Sequence, residues 1–136
     1  MSLYCFLTLL SLERHVSNVC SKAFFHLRQL RRVRRSLDSV SASTLVHAFV
    51  TSRVDYCNAI LAGETKATTD RLQRVLNAAA RVVSNTRKFD PGLSNMMHID
   101  LHWLDVPERV TYKLSVMVYH CMCTTLHQRI SVICVH

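Results

Sequence analysis

Residues 45–88 constrain the fold of this chain more than any other stretch. Apolar residues recur there at steps of three and four, the spacing that places side chains on one face of an α-helix. Two stripes result, one formed by Leu45, Ala48, Phe49, Ser52, Tyr56, Ala59 and Ile60 and the other by Leu72, Val75, Leu76, Ala79, Val82 and Val83. A hairpin of two such helices leaves apolar surface uncovered, so it must dock against the flanking segments.

The connector between these two predicted helices contains the residue types that end and begin helices. Gly63 is expected to stop the first helix, since glycine adopts the left-handed backbone of a helix C-terminus without strain. Thr68 or Thr69 is expected to cap the second helix. Asp70 would place its negative charge near the positive end of that helix.

Both flanks of the hairpin also show helical periodicity. A first helix is predicted over residues 11–36, and its stripe is Val16, Val19, Cys20, Ala23, Leu27, Leu30, Val33 and Leu37. A last helix is predicted to begin at Pro107, with the stripe Val110, Leu114, Met117, Val118 and Cys121. Residues 38–43 and 84–95 are predicted connectors, and residues 99–104 a short helical turn. We therefore predict an all-α fold, a small bundle of about four amphipathic helices with short connectors, cut from a larger protein.

Basic charge is the second informative feature of the sequence, whose formal net charge is +8. Four arginines at i, i+3, i+4 and i+7 predict one basic patch about 10 Å long on the first helix: Arg28, Arg31, Arg32 and Arg35. A second strip follows the hairpin: Arg71, Arg74, Arg81, Arg87 and Lys88. Arg34 falls towards the apolar side and is expected to extend along its stem to water.

These two strips suit the phosphates of a nucleic acid, which give affinity without sequence specificity. Two simpler explanations stay open. The first is a solvated helix face, and the second is that cations in the last turns of a helix complement its dipole.

Three ordered segments carry a family resemblance: LVHAFVTSRVDYCNAILAG, RLQRVLNAAARVV and DLHWLDVPERVTYKL. Together they resemble the region C-terminal to the polymerase domain of non-LTR retrotransposon reverse transcriptases, the long interspersed elements (LINEs) of jockey-like or chicken-repeat type. The resemblance covers residues 12–122. It leaves residues 1–11 as an apolar start from outside the family and residues 123–136 as a divergent tail.

The resemblance implies a thumb-like helical region that contacts template–primer nucleic acid, an RNA or DNA duplex, in the full RNA-directed DNA polymerase. The palm, with its catalytic aspartates, would precede residue 1 and would be the missing packing partner. Two-metal phosphoryl transfer needs clustered carboxylates, and no two aspartates are adjacent here. We therefore expect a non-catalytic fragment of a transposable-element protein. The alternative is a helical protein-interaction module without a nucleic-acid role.

Other chemistry is not predicted, and no cofactor is expected. Asp100 and His102 resemble a dyad, but nothing nearby supplies a nucleophile or a substrate pocket. DLHWL is a recurring motif of the family that the chain resembles, and the resemblance implies a structural corner with Trp103 and Leu104 buried. A possible zinc set, His120, Cys121, Cys123 and His127, has a Cys-x-Cys spacing tighter than structural zinc sites use, so no metal is predicted.

The six cysteines are irregularly spaced, which favours reduced thiols. The apolar start is about ten residues long, too short to span a bilayer, and no basic residue precedes it as in a signal peptide. We expect an intracellular protein, cytoplasmic or nuclear, that is neither secreted nor stably inserted in a membrane. A basic helix lying on an anionic membrane, with Phe24 and Phe25 at the interface, is a third possibility.

Overall fold

The fold is that of a computed structural model, which describes the backbone of residues 3–56, 58–87 and 90–133 and the side chains of residues 12–56, 60–87 and 90–124. Throughout these ranges the chain is helical or in short connectors and contains no strand, so the predicted all-α class is confirmed. The predicted roles of Cys5, Cys57, Ala59, Lys88, His127 and Cys134 concern side chains outside the described residues.

Six α-helices follow one another: α1 (Leu3–Val33), α2 (Ser39–Val46), α3 (Ser52–Tyr56), α4 (Lys66–Ser84), α5 (Leu93–Asn95) and α6 (Val106–Ile133). Wider π-helical turns extend α2 and α5, at His47–Thr51 and Met96–Asp100. Tighter 3-10 turns, Arg34–Ser36 and Asn58–Leu61, follow α1 and α3. Since α2 and α3 are joined through the π turn into one rod, the main helices are four. Helices α1 and α6 run without a break across residues 11–12 and 122–123, the boundaries predicted for the apolar start and the divergent tail.

The core lies where α1 packs along α4. Every residue of the stripe predicted for α4 is buried, and the α1 stripe is buried from Val16 to Leu30 apart from the half-buried Val19. Ala23 and Ala79 are fully buried, and their small side chains allow the two helices to approach closely. Each fully buried valine or leucine contributes about 1.5–3 kcal/mol through the hydrophobic effect.

The stripe predicted for the α2–α3 rod is wrong. Phe49 and Tyr56 are 41% and 86% exposed, and the buried side chains are instead Val46, Val50 and Val54. In a regular α-helix, residues four apart drift by about 40° per step, because successive residues turn by about 100°. The π turn at His47–Thr51 widens the helix, which keeps these valines on one face and turns the aromatic residues outward.

The helix ends agree with the prediction in part. Gly63 does adopt the left-handed backbone, with φ of +83°. Thr65 occupies the N-cap position of α4, ahead of the predicted Thr68 or Thr69, and Asp70 lies beyond the first turn. The hydroxyl of Thr68 is instead buried 3.1 Å from that of Thr65. Residues 39–43, predicted as a connector, already belong to α2.

The chain between α4 and α6 is helical earlier than predicted, from Leu93 to Asp100 rather than over residues 99–104. Helix α6 begins at Val106, one residue before the predicted Pro107. The Asp105 N–H donates to the Glu108 carboxylate at 3.1 Å, the reciprocal half of a capping box. Trp103 is half-buried against the core, but Leu104 is 42% exposed, so its predicted burial is wrong.

Candidate nucleic-acid interface

The four arginines of the predicted patch are all exposed near the C-terminal end of α1. Arg28, Arg31 and Arg32 lie on α1 itself, and Arg35 lies in the 3-10 turn that follows. We call Arg28, Arg31, Arg32 and Arg35 the arginine patch. The adjacent face of α1 packs against α4, and these long side chains extend into water beside that contact.

A shallow groove of about 160 Å³ brings this patch next to α4. The residues that line it are Phe24, Leu27, Arg28 and Arg31 from α1 and Ala78 and Val82 from α4. Arg74 and Arg81 lie four residues before and three after Ala78, so they share its side of α4. Two arginines of the first strip, Arg28 and Arg31, therefore line this groove, and two of the second, Arg74 and Arg81, lie within about one helical turn of its α4 side.

The remaining residues of the second strip differ in environment. Arg71 donates through Nη2 to the Ser17 hydroxyl at 3.3 Å and so also lies beside α1. Arg81 is half-buried, and its Nε has no hydrogen-bond partner. Arg87 is exposed beyond the end of α4, where its backbone N–H donates to the Asp90 carboxylate at 2.7 Å. Lys88 lies outside the described residues.

Arg34 does not extend to water as predicted. Its Nε donates to the Val82 carbonyl at 2.8 Å, and its Nη2 donates to the Val83 carbonyl at 2.7 Å. Nη1 donates to the Leu37 carbonyl at 2.7 Å. The last carbonyls of a helix lack partners within the helix, and a cation there also complements the helix dipole. Arg34 is thus a structural cap on α4, and its place on the apolar side of α1 was the only sign of this in the sequence.

Cys20 lies beneath the Arg71 side chain in the α1–α4 contact. Burial raises the pKa of the Cys20 thiol above its ordinary value, and the positive charge of Arg71 opposes that rise only in part. Cys20 is a free, buried thiol, and Cys123 is a free, exposed one. A neutral thiol in this position packs as a small apolar side chain.

A separate polar cluster holds α3, α4 and α6 together. Arg109 donates through Nη1 to both carboxylate oxygens of Asp55, at 2.9 and 3.0 Å. Gln73 donates to Asp105 at 2.7 Å and accepts from the Val106 N–H at 2.9 Å. These contacts fix the first turn of α6 to α4, which is a structural role.

The predicted Asp100–His102 corner has a strained backbone at His102, whose φ is +51°. The paired histidine is His98, whose Nδ1 lies 2.9 Å from the Trp103 carbonyl oxygen and whose Nε2 lies 3.7 Å from the Asp105 carboxylate. His102 instead borders a cleft of about 340 Å³ beside the Asp55–Arg109 pair. Neither His98 nor His102 contacts a nucleophilic side chain among the described residues.

Among the described side chains, no three His, Cys, Asp or Glu residues gather as a metal site. Within the same part of the chain, no helix has the length and apolar character needed to cross a membrane. Comparison with protein-family models, curated proteins and solved structures finds no match.

Proposed function

We propose that this chain is the helical, non-catalytic segment that follows the palm of a non-LTR retrotransposon reverse transcriptase, and that its basic faces contact template–primer nucleic acid in the cytoplasm or nucleus. The observation that supports this most is that the arginine patch lies beside the part of α4 that carries two arginines of the second strip. Arg28 and Arg31 line it from α1, and Arg74 and Arg81 flank it on α4.

The contact would be electrostatic and insensitive to sequence. A duplex presents one negative charge per about 1.7 Å of its axis, so a patch about 10 Å long meets several phosphates at once. Binding would release condensed counterions, which makes the affinity fall steeply as salt is added.

The palm would cover apolar surface that α6 leaves in water. Beyond Val110 the large apolar side chains of this helix are mostly exposed, namely Tyr112, Met117, Val118, Tyr119 and Met122. A surface of this kind commonly marks an interface with another domain.

The test compares two sets of three charge removals. The first is Arg28→Gln with Arg31→Gln and Arg35→Gln, and the matched control is Arg14→Gln with Lys66→Gln and Lys113→Gln, all at exposed positions. We expect the first set to lower duplex affinity at least tenfold at about 50 mM salt and to reduce the slope of log K against log salt by about 2–3. The control set should change both quantities much less.

Two results would contradict the proposal. One is an equal loss of duplex affinity in both sets, which would mean that only the net charge of the chain matters. The other is the absence of duplex binding by the unmodified chain at low salt, with helicity intact by circular dichroism.

The exposed face of α6 favours a second candidate, a helical protein-interaction module in which the arginines only solvate the surface. Met117→Glu with Met122→Glu would then abolish capture of a protein partner. The arginine substitutions would leave that capture unchanged. Loss of duplex binding in the arginine set alone favours the first candidate.

A further inference from the structure

A second groove lies on the other side of α1, between this helix and α3. Its volume is about 500 Å³, and it is lined by His15, Asn18, Val19 and Lys22 from α1 and by Ser52, Arg53 and Tyr56 from α3. The arginine patch does not contribute to it. The groove is open to solvent and large enough to hold a nucleotide.

An aromatic cluster lies next to this groove towards the C-terminal end of α1, since His26 is four residues after Lys22 and Phe49 is four residues before Arg53. The His26 ring stacks on the Phe49 ring with their centroids 5.3 Å apart and their planes at 22°. Phe25 meets the edge of His26 at 5.7 Å and is 57% exposed. The cluster joins α1 to the π turn at His47–Thr51, and such turns are frequent at functional sites.

The two elements that form the groove run in opposite directions. His26 lies opposite Phe49 at one end, and Tyr56 joins His15 and Lys22 around the other. From His15 to His26 the helix rises about 16 Å, which is the length of about four or five stacked nucleotides at about 3.4 Å each. Tyr56 therefore lines one end of the groove, the stacked His26 and Phe49 rings lie beyond its other end, and Lys22 and Arg53 lie between them.

The charge of the groove favours an anion. Lys22 and Arg53 are both exposed, and none of the described residues that line the groove carries a carboxylate. Asp55, the acid nearest in sequence, is held by Arg109 on the α6 side. A phosphate between Lys22 and Arg53 would meet no repulsion from these side chains.

We infer that this groove binds single-stranded nucleic acid, with phosphates on Lys22 and Arg53 and unpaired bases stacked on Tyr56 and Phe49. The inference rests on the proposed function, because it names a second form of nucleic acid for the same chain. Base stacking on an aromatic ring requires a base that is free of a duplex, so this groove discriminates against paired strands. The arginine patch offers charge but no aromatic ring of its own, so it does not discriminate against paired strands.

The π turn gives the groove its aromatic surface. The stripe predicted from a regular repeat had placed Phe49 and Tyr56 in the core. With the π turn, Val46, Val50 and Val54 fill the core, Tyr56 lines the groove, and Phe49 stacks on His26. The unusual helical turn therefore has a consequence at the surface as well as in the core.

The test uses two fluorescent probes, a thymidine oligonucleotide of about 12 nucleotides and a mixed-sequence DNA duplex of the same length. We expect Tyr56→Leu to lower affinity for the single strand about tenfold, which lies in the range for the loss of one stacked base. Affinity for the duplex should change less than about twofold. The matched control is Tyr119→Leu, another exposed tyrosine, on α6.

Lys22→Gln with Arg53→Gln should likewise lower affinity for the single strand more than affinity for the duplex. Arg28→Gln with Arg31→Gln should instead lower affinity for the duplex at least as much as affinity for the single strand. Crosslinking with a bromouracil-substituted strand supplies an independent measurement. Its adducts are expected on Tyr56, Phe49 or their immediate neighbours.

The outcomes separate this inference from the proposed function. Binding of the duplex with no binding of the single strand would overturn the inference alone. Equal effects of Tyr56→Leu and Tyr119→Leu, or adducts confined to residues 28–35, would also overturn it. If the unmodified, folded chain binds neither probe, both proposals fail.

Discussion

The Arg34 guanidinium donates to the Val83 carbonyl at 2.7 Å, across forty-nine positions of sequence. It thereby joins the C-terminal end of α1 to the C-terminal end of α4, two helices that run in the same direction. This contact distinguishes Arg34 from the four nearby arginines of the arginine patch, whose side chains are exposed. A cation in the middle of an apparently uniform basic run is thus part of the structure of the bundle.

Arg34→Met is expected to lower the free energy of unfolding by about 1–3 kcal/mol, because hydrogen bonds from a charged donor to the α4 carbonyls are lost. Arg35→Met, at the neighbouring exposed position, should cost less than about 0.5 kcal/mol. Urea denaturation measures both values. Equal losses in the two variants would mean that the Arg34 contacts add nothing to stability.

Val50→Ala and Phe49→Ala form a matched pair that tests which face of the α2–α3 rod is buried. Val50 is fully buried, so its truncation should cost about 2 kcal/mol of unfolding free energy. Phe49→Ala should cost about 1 kcal/mol or less, since the exposed ring loses chiefly its stacking on His26. The stripe predicted from sequence requires the reverse, with about 3–5 kcal/mol for a buried phenylalanine.

The Asp55–Arg109 pair should show favourable coupling in a double-mutant cycle. We expect a coupling of about 1 kcal/mol from Asp55→Asn, Arg109→Met and the double variant, because Nη1 of Arg109 donates to both carboxylate oxygens and the Arg109 side chain is only 12% exposed. The coupling should persist in added salt, which screens exposed pairs more strongly. A coupling near zero would place this pair among ordinary surface ion pairs.

Asp38 caps α2, accepting from the backbone N–H groups of Val40 and Ser41 at 3.1 Å. Hydrogen bonds from Ser41, through its hydroxyl and its N–H, lower the pKa of the Asp38 carboxyl below its ordinary value. The charged form is therefore favoured by folding. Its contribution is present above the unfolded pKa, about 3.9, and is lost as the pH falls through the lower pKa of the folded state.

The thermal unfolding midpoints of the unmodified chain and of Asp38→Ala should therefore differ most at neutral pH and converge in acid below about pH 3.9. Asp38→Asn is the control, because it keeps a capping oxygen without a charge. The difference in stability between this variant and the unmodified chain should be smaller in acid than at neutral pH. A difference between Asp38→Ala and the unmodified chain that does not change with pH would contradict this role for the ionised carboxylate.

Much of the bundle follows from local pattern. The buried stripe of α4 was predicted residue by residue, because its apolar positions match the helical repeat from Leu72 to Val83 and the alternative face is charged. The exposure of Arg28, Arg31, Arg32 and Arg35 follows from the same periodicity applied to α1. For the α2–α3 rod the predicted stripe contained Phe49 and Tyr56, and it was wrong, because the π turn at His47–Thr51 departs from the regular helical repeat on which the prediction rested.

The sequence by itself determined the all-α class, the positions of the main helices and the amphipathic faces of α1 and α4, since these depend on the repeat of the helix backbone. Only the tertiary structure decided that Val50 is buried and Phe49 exposed, that Arg34 caps α4, and that Lys22 and Arg53 face one groove. Each of these depends on packing between segments distant in the chain or on a single wide helical turn. A regular repeat contains no record of either, because helical periodicity describes neighbours along one element and not the partners that the fold brings to it.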